Sequence, residues 1–367
     1  MLGKIVTVKI DRPIGSVHPE YNDMVYPVNY GYIEGIYADD LEEQDAYVLG
    51  VLEPVSEFTG RVIAVIKREN DVEDKLVVAN DKFSKEEIYK LTHFTEKYFD
   101  SHIIMEESSY EDLIWDIKNA GIKSDEKLMI HSSLRSVGKI SGGATTLVNA
   151  FINVMNDGLL IFPTHTWATI QKDEMVFDND LSDSCVGALT NVARKMPGFK
   201  RSMHPTHSVC AYGKGRDEYI ALDLDAKTPA SPNGCFGALK NMNAKILFLG
   251  APLSKNTFVH SIEEEMNVPD RFTSHIYHFI SKDNDIVRDY YMPRHYSTKS
   301  AHISDHYEKL LPIMLKNNIA KKVYIGNSVS YLVDAKMCNE MVKEILSKDI
   351  HALDDFEKVD HLYESSK

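Results

Sequence analysis

From Lys4 to Ile10 apolar and polar residues alternate with a period of two, which sets one face of an extended strand against a core and the other in water. Short apolar runs such as Leu76, Val77 and Val78, separated by turn-rich breaks, carry the pattern to about Ala79, so the first stretch reads as a small β-rich unit. The period then changes. Ile88, Leu91, Phe94 and Tyr98 share one face of a helix, and Ser84 with Glu87 has the spacing of a capping box.

The segment DSHIIMEESS after Phe99 has no clear period and leads to Ser108 and Glu111, again spaced as a capping box. A domain boundary near residue 105 follows, dividing the chain into 1–105 and 106–367. Leu113, Ile114, Ile117 and Ile122 then give a helix face with Gly121 as terminator, and Lys127 to Leu134 reads as a buried strand. Further short apolar runs at 158–163, 244–250 and 321–326 alternate with helical patterns at 145–156, 184–196 and 335–348. The expected fold class is therefore α+β / α/β, a β-rich unit followed by an α/β sandwich. The polar tail after Asp354 is the one frayed stretch, and no internal repeat is present.

Composition narrows the function. At 367 residues and 43% hydrophobic content, the chain is large enough for two cores. Fifty-five acidic against 41 basic residues give a net charge of −14, which disfavours nucleic acid and anionic membranes and favours cationic partners. The four cysteines, Cys185, Cys210, Cys235 and Cys338, form no CxxC pair, as expected of reduced thiols in a cytoplasmic protein without a structural metal. No stretch is long and apolar enough to span a bilayer.

The strongest local chemical signal is HSSLRSVGKISGGATTLVNAFINVM, starting at His131, in which a strand ends in polar residues and Gly142 and Gly143 open a helix. Unpaired N–H groups and partial positive charge at a helix N-terminus suit an anionic ligand, and glycine lets a phosphate approach the backbone. A glycine pair before a helix also serves as a plain turn.

Two resemblances organise these motifs. YPVNYGYIEG from Tyr26, then Asp40, Glu42, Asp45, Glu73 with Lys75, and HFTEKYFD from His93 resemble the soluble inorganic pyrophosphatases over roughly residues 1–105. That implies a small β-barrel-like domain whose carboxylates hold magnesium against pyrophosphate. Here the carboxylate segment reads DLEEQD, with Gln44 among its acids, and the chain before Tyr26 lacks the phosphate-binding cations, so the domain is read as degenerate and magnesium as a cofactor only if it is active.

The glycine segment, PTHTW (163–167), FDND (177–180), RSMHPTHSVCAYG (201–213), SPNGCFGAL (231–239) and LFLGAPLSKNTFVHSIEE (247–264), in that order, resemble the aminoglycoside 3-N-acetyltransferase family over about residues 108–350. The resemblance implies acetyl transfer from acetyl-coenzyme A to an amine of an aminoglycoside or related amino sugar. Ser132, Ser133, Leu134, Arg135, Gly138, Lys139, Gly142, Gly143 and Ala144 are then expected to line the coenzyme's pantetheine and pyrophosphate.

Acetylating an amine requires removal of a proton from nitrogen, and histidine is the natural base near neutral pH. His204 in RSMHP is the expected base, with His207 its near neighbour. A base also needs a carboxylate to orient it. His260, Glu263 and Glu264 stand at i, i+3 and i+4 of a helical pattern, a face able to support His204 or bind a cationic sugar, or simply a solvated acidic face. Glu263 is taken as catalytic and His260, Glu264 and Asp178 as substrate contacts, Asp178 serving equally as a helix cap or loop residue. The stretch from Trp167 to Val186 is short where antibiotic-modifying members carry an acceptor-binding insertion, which leaves an amino sugar of carbohydrate synthesis as the alternative acceptor. A pyrophosphatase with an inactive passenger and a non-catalytic assembly module are the rival readings. The oligomeric state stays open, a homo-oligomer included.

Overall fold

The computed structural model describes residues 1–170 and 175–363, and the chain divides into two compact units. The first comprises Met1–Asp116 with Gly138–Gly143, and the second Ile117–Val137 with the chain from Ala144 onward.

In the first unit six strands, β1 (Ile5–Arg12), β2 (Asn29–Tyr37), β3 (Glu43–Val48), β4 (Glu57–Arg68), β5 (Lys75–Ala79) and β6 (Ser101–Met105), form one sheet in the order β1-β2-β3-β5-β4-β6. Pairing of β1 with β4 closes the first five into a small barrel. The alternation read from the sequence is the reason: Val6 and Val8 point inward with Val62 and Val78, while Ile5 is exposed. Helix α1 (Lys85–Glu96) starts with the expected capping box, Ser84 accepting from the Glu87 N–H while the Glu87 carboxylate accepts from that of Ser84. Helix α2 (Tyr110–Asn119) is capped one residue later than the sequence spacing suggests: Ser109 Oγ accepts from the Asp112 N–H and the Asp112 carboxylate from that of Ser109. The buried Lys85 ammonium pairs with Asp116 at 2.8 Å.

The second unit is built on a seven-stranded sheet of order β10-β11-β8-β7-β12-β16-β15, comprising β7 (Lys127–Ser132), β8 (Leu159–Pro163), β10 (Lys200–Arg201), β11 (Val209–Gly213), β12 (Lys245–Leu249), β15 (Ala320–Ile325) and β16 (Ser328–Asp334). The three central strands β8, β7 and β12 run parallel, with Met129 between Ile161 and Ile246, and are apolar along their length because both faces are covered. A smaller sheet places β13 (Tyr277–Asp283) between β14 (Ile286–Met292) and β9 (Val176–Asp178). Helix α3 (Leu134–Val137) follows β7, and α4 (Gly143–Val154) begins at the paired glycines, which take φ values of +79° and +72°. The pattern at 184–196 yields only the short α5 (Ala188–Ala193). Helices α6 (Arg216–Ala221) and α7 (Cys235–Ala238) lead to α8 (Thr257–Glu265), and α9 (Leu311–Lys316) and α10 (Ala335–Lys348) complete the unit. Phe258 and Ile262 on α8 are fully buried against Phe248, Tyr307 and Met341. Burying each such side chain contributes about 1.5–3 kcal/mol.

All four cysteines are free thiols. Among the described residues no helix is long and apolar enough to cross a membrane. Residues 171–174 of the short Trp167–Val186 stretch and 364–367 of the polar tail lie outside the described residues.

Candidate active site

A cavity of about 1000 Å³ opens in the second unit at the C-terminal ends of the parallel strands β7 and β8. Its walls come from the strand-to-helix turn after β7 (Ile130–Arg135), from Pro163, His165 and Trp167 after β8, from Thr206 and His207, from α8, and from the chain after β14. Loops beyond the carboxyl ends of parallel strands leave such a crevice.

Four imidazoles run along one wall. His165 and His207 have ring centroids 4.6 Å apart, His207 and His295 5.1 Å, and His295 and His260 4.4 Å. Helix α8 supplies carboxylates to two of them. His260 Nδ1 lies 3.2 Å from Glu263 Oε2, three residues on, so both sit on one helix face. The Tyr307 hydroxyl donates to the same oxygen at 2.5 Å, and Arg271 Nε donates to Glu263 Oε1 at 2.8 Å. Burial opposes the charge on Glu263, yet the hydrogen bond from His260, the Arg271 guanidinium and the Tyr307 hydroxyl hold its carboxyl below the usual range. The ionised carboxylate places the imidazole proton on Nδ1 and leaves the Nε2 lone pair to the cavity. Burial, and then the His295 charge, lower the His260 pKa, keeping the ring neutral and basic. A neutral imidazole with a carboxylate behind it is the arrangement of a general base.

Glu264 points the other way. Its Oε1 accepts from His295 Nε2 at 2.9 Å and from the Ala230 N–H at 2.9 Å, while Oε2 accepts from the Thr228 hydroxyl at 2.5 Å. Glu264, expected as a substrate contact, thus accepts three hydrogen bonds from within the protein and does not line the cavity.

A family profile for aminoglycoside 3-N-acetyltransferase matches residues 129–347, which contain this cavity and both carboxylates. The chain belongs to the aminoglycoside 3-N-acetyltransferase family. It is 24% identical over 245 residues to aminoglycoside N(3)-acetyltransferase IX of Micromonospora chalcea, covering 60% of this chain and 86% of that protein. It is 25% identical over 174 residues to the prophage-derived acetyltransferase-like protein YokD of Bacillus subtilis, covering 40% of this chain and only 62% of that protein's length. The fold is similar to aminoglycoside acetyltransferase AAC(3)-IVa, with TM-score 0.57, 21% identity and coverage of 67% of this chain and 91% of that one. It is also similar to AAC-IIIb in a binary complex with CoASH, with TM-score 0.58, 20% identity and coverage of 66% and 97%.

Within that family fold His204, the expected base, is not among the residues of the cavity wall. Its Nδ1 accepts from the backbone N–H groups of Thr206 at 3.2 Å and His207 at 3.0 Å, which puts the ring proton on Nε2, 3.1 Å from the Thr228 carbonyl. Both nitrogens are engaged with backbone and the residue, 2% exposed, lies off the cavity wall. His204 staples its own turn to the Thr228 carbonyl. Its neighbour Arg201 is also structural: buried over Phe177, it donates to the Thr164, Asn179 and Ser182 carbonyls, and burial lowers its pKa to about 10. Asp178 caps a turn, accepting from the N–H groups of Asp180 and Leu181, and takes no part in the cavity.

Of the expected coenzyme residues, Ser132, Ser133, Leu134 and Arg135 line the cavity. Gly138, Lys139, Gly142, Gly143 and Ala144 do not. Within the first unit Lys139 O accepts from the Ser108 N–H, and Gly143 N closes a turn on Ile140 O. The buried Ser132 Oγ, His131 Nε2 and His165 Nε2 have no partner among the described residues, and all three residues line the cavity. Buried polar atoms left this way on a cavity wall fit a ligand with its own donors and acceptors. His165 was visible in PTHTW only as one histidine among fifteen; His295 and Tyr307 carry no sequence signal, because their partners lie 31 and 44 residues away along the chain.

Proposed function

We propose that the protein transfers the acetyl group of acetyl-coenzyme A to an amine of an aminoglycoside or related amino sugar, with His260 as general base and Glu263 as the residue that orients it. The observation that carries this reading is the His260–Glu263 pair, aimed into a cavity that the Ser132–Arg135 turn also lines. The amine nitrogen attacks the thioester carbonyl carbon as its proton passes to His260 Nε2. The carbon–sulfur bond then breaks, and the leaving sulfur takes that proton. Ser132, Ser133 and Arg135 would hold the coenzyme, and the unpartnered Ser132 Oγ supplies one polar contact. A thiol-release assay with acetyl-coenzyme A against aminoglycosides and amino sugars tests the reading. No release with any acceptor, together with no coenzyme binding by calorimetry, overturns it.

For the first unit we infer a pyrophosphatase-type barrel that has lost its chemistry. Asp45 and Glu73, the carboxylates suited to magnesium, both pair with the buried Lys75 ammonium, Asp45 at 2.6 Å, and the Tyr30 hydroxyl donates to Asp45 at 2.6 Å. An internal cation thus already offsets one of their two charges and occupies the place between them. Among the described residues no group of three or more histidine, cysteine or acidic side chains could hold a metal ion. Phosphate release from pyrophosphate with magnesium would overturn the inference.

A further inference from the structure

His295 carries a second proton-handling arrangement that the transfer chemistry above leaves unused. Glu264, whose carboxylate accepts from His295 Nε2 at 2.9 Å, fixes the ring proton there and leaves the lone pair on Nδ1. That nitrogen has no protein partner among the described residues, and His295 lies on the cavity wall beside His260, centroid to centroid 4.4 Å. Two imidazoles, each held by its own carboxylate from consecutive positions of one helix, therefore face one cavity.

The chemistry calls for two such groups. A sugar amine near neutral pH is mostly an ammonium ion. It must lose one proton to expose its lone pair, and a second as the nitrogen–carbon bond forms. One imidazole lone pair cannot hold both. Resting on the acetyl-transfer reading, we propose that His295 removes the first proton from the acceptor ammonium and that Glu264 positions it for this step. The ammonium gives a proton to His295 Nδ1. His295 returns that proton to water. The free amine then attacks the thioester carbon while its second proton passes to His260 Nε2, the carbon–sulfur bond breaks, and sulfur takes that second proton, so one proton is released per acetyl group transferred.

The surroundings order the two transfers. Burial disfavours protonation of His165, His204, His207 and His260, and charge on His295 adds to it in each case. Arg294 precedes His295 on the cavity wall, Phe272 stacks on its ring, and Glu264 is the acid directly bonded to it. Arg271 stands behind Glu263 on the His260 side. Two adjacent imidazolium ions would repel, so His295 must shed its proton before His260 gains one.

The test is the pH dependence of kcat/KM from pH 6 to 10 for the full chain, its His295→Asn, Glu264→Gln and His260→Asn variants, with tobramycin and glucosamine as acceptors and coenzyme titration and thermal melts as controls. His295→Asn should lose roughly a hundredfold at pH 7, the order of a positioned acid–base group, and regain most of it by pH 10, where the amine is already free. Glu264→Gln should show a smaller loss with the same recovery, and carries the test if His295→Asn folds poorly. His260→Asn should stay depressed throughout. Thiol release from neither acceptor with the parent protein, under conditions where acetyl-coenzyme A binds, overturns the assignment for these amines along with their transfer. With an active parent, an unchanged profile, or a loss constant across the pH range, overturns the role of His295 alone.

Discussion

Glu263 and Glu264 are consecutive residues of α8 whose carboxylates bond different histidines, Glu263 Oε2 lying 3.2 Å from His260 Nδ1 and Glu264 Oε1 2.9 Å from His295 Nε2. A step of one residue turns a helix by about 100°, which sends the two side chains to different neighbours. Glu263 meets Tyr307 and Arg271, whereas Glu264 meets the Thr228–Ala230 turn.

His260→Asn should lower turnover by a factor on the order of a hundred to ten thousand, the usual worth of a positioned base, while leaving coenzyme affinity nearly unchanged. Steady-state kinetics beside calorimetry check this. Turnover within a factor of about three of the parent would move the base elsewhere on the wall.

His204→Asn should behave oppositely. An amide oxygen can still accept one of the two backbone N–H groups now bonded to Nδ1, so the loss is one of stability, about 1–3 kcal/mol for an unsatisfied buried group. Turnover per folded molecule should stay within about tenfold of the parent, well short of the loss of a base. A loss as large as that of His260→Asn, with an unchanged melting temperature, would restore His204 as the base.

Glu263→Gln removes the charge that faces Arg271, itself 3% exposed and paired also with Asp354 at 2.8 Å. Breaking a buried pair from one side costs about 3–5 kcal/mol, so chemical denaturation should show a marked loss of stability. Turnover should fall too, and the double variant with His260→Asn should lose much less than the product of the single losses, as groups acting as a unit do.

Ser132→Ala offers opposite signs in the free and bound states. The Ser132 Oγ is buried without a partner among the described residues, so its removal should leave the free protein as stable or up to about 1 kcal/mol more stable. If that hydroxyl contacts acetyl-coenzyme A, the stabilisation conferred by the coenzyme should shrink. Thermal melts at matched coenzyme concentrations read both.

Acid should weaken the fold through histidines buried in neutral form. Burial lowers His131 to about 3 and pushes His165 and His207 well below the ordinary value. The unfolded chain takes up these protons below about pH 6.5 and the folded chain does not, so stability is full above that pH and falls toward pH 3, by up to about 1.4 kcal/mol per unit for each histidine. His131→Asn should flatten the stability–pH curve over that window. An unaltered slope would show that His131 titrates normally in the fold.

The sequence by itself determined the first barrel strand, the parallel apolar strands and α10, because these follow from periodicity along a continuous segment, and it placed His260, Glu263 and Glu264 close together because helical spacing is a local property. Ordered motifs likewise sufficed for the family, since they reflect the whole chain rather than any one contact. Tertiary structure decided which histidine has a free lone pair. RSMHP and FDND look chemical in the sequence, but His204 is consumed by backbone groups of its own turn and by Thr228, and Asp178 by the turn that follows it. His295 comes from a loop 31 residues beyond Glu264 and Tyr307 from 44 beyond Glu263. Only the folding of those segments against α8 brings them within bonding distance, and hydrogen-bond direction, set by which atoms finally meet, leaves no periodic trace along the chain.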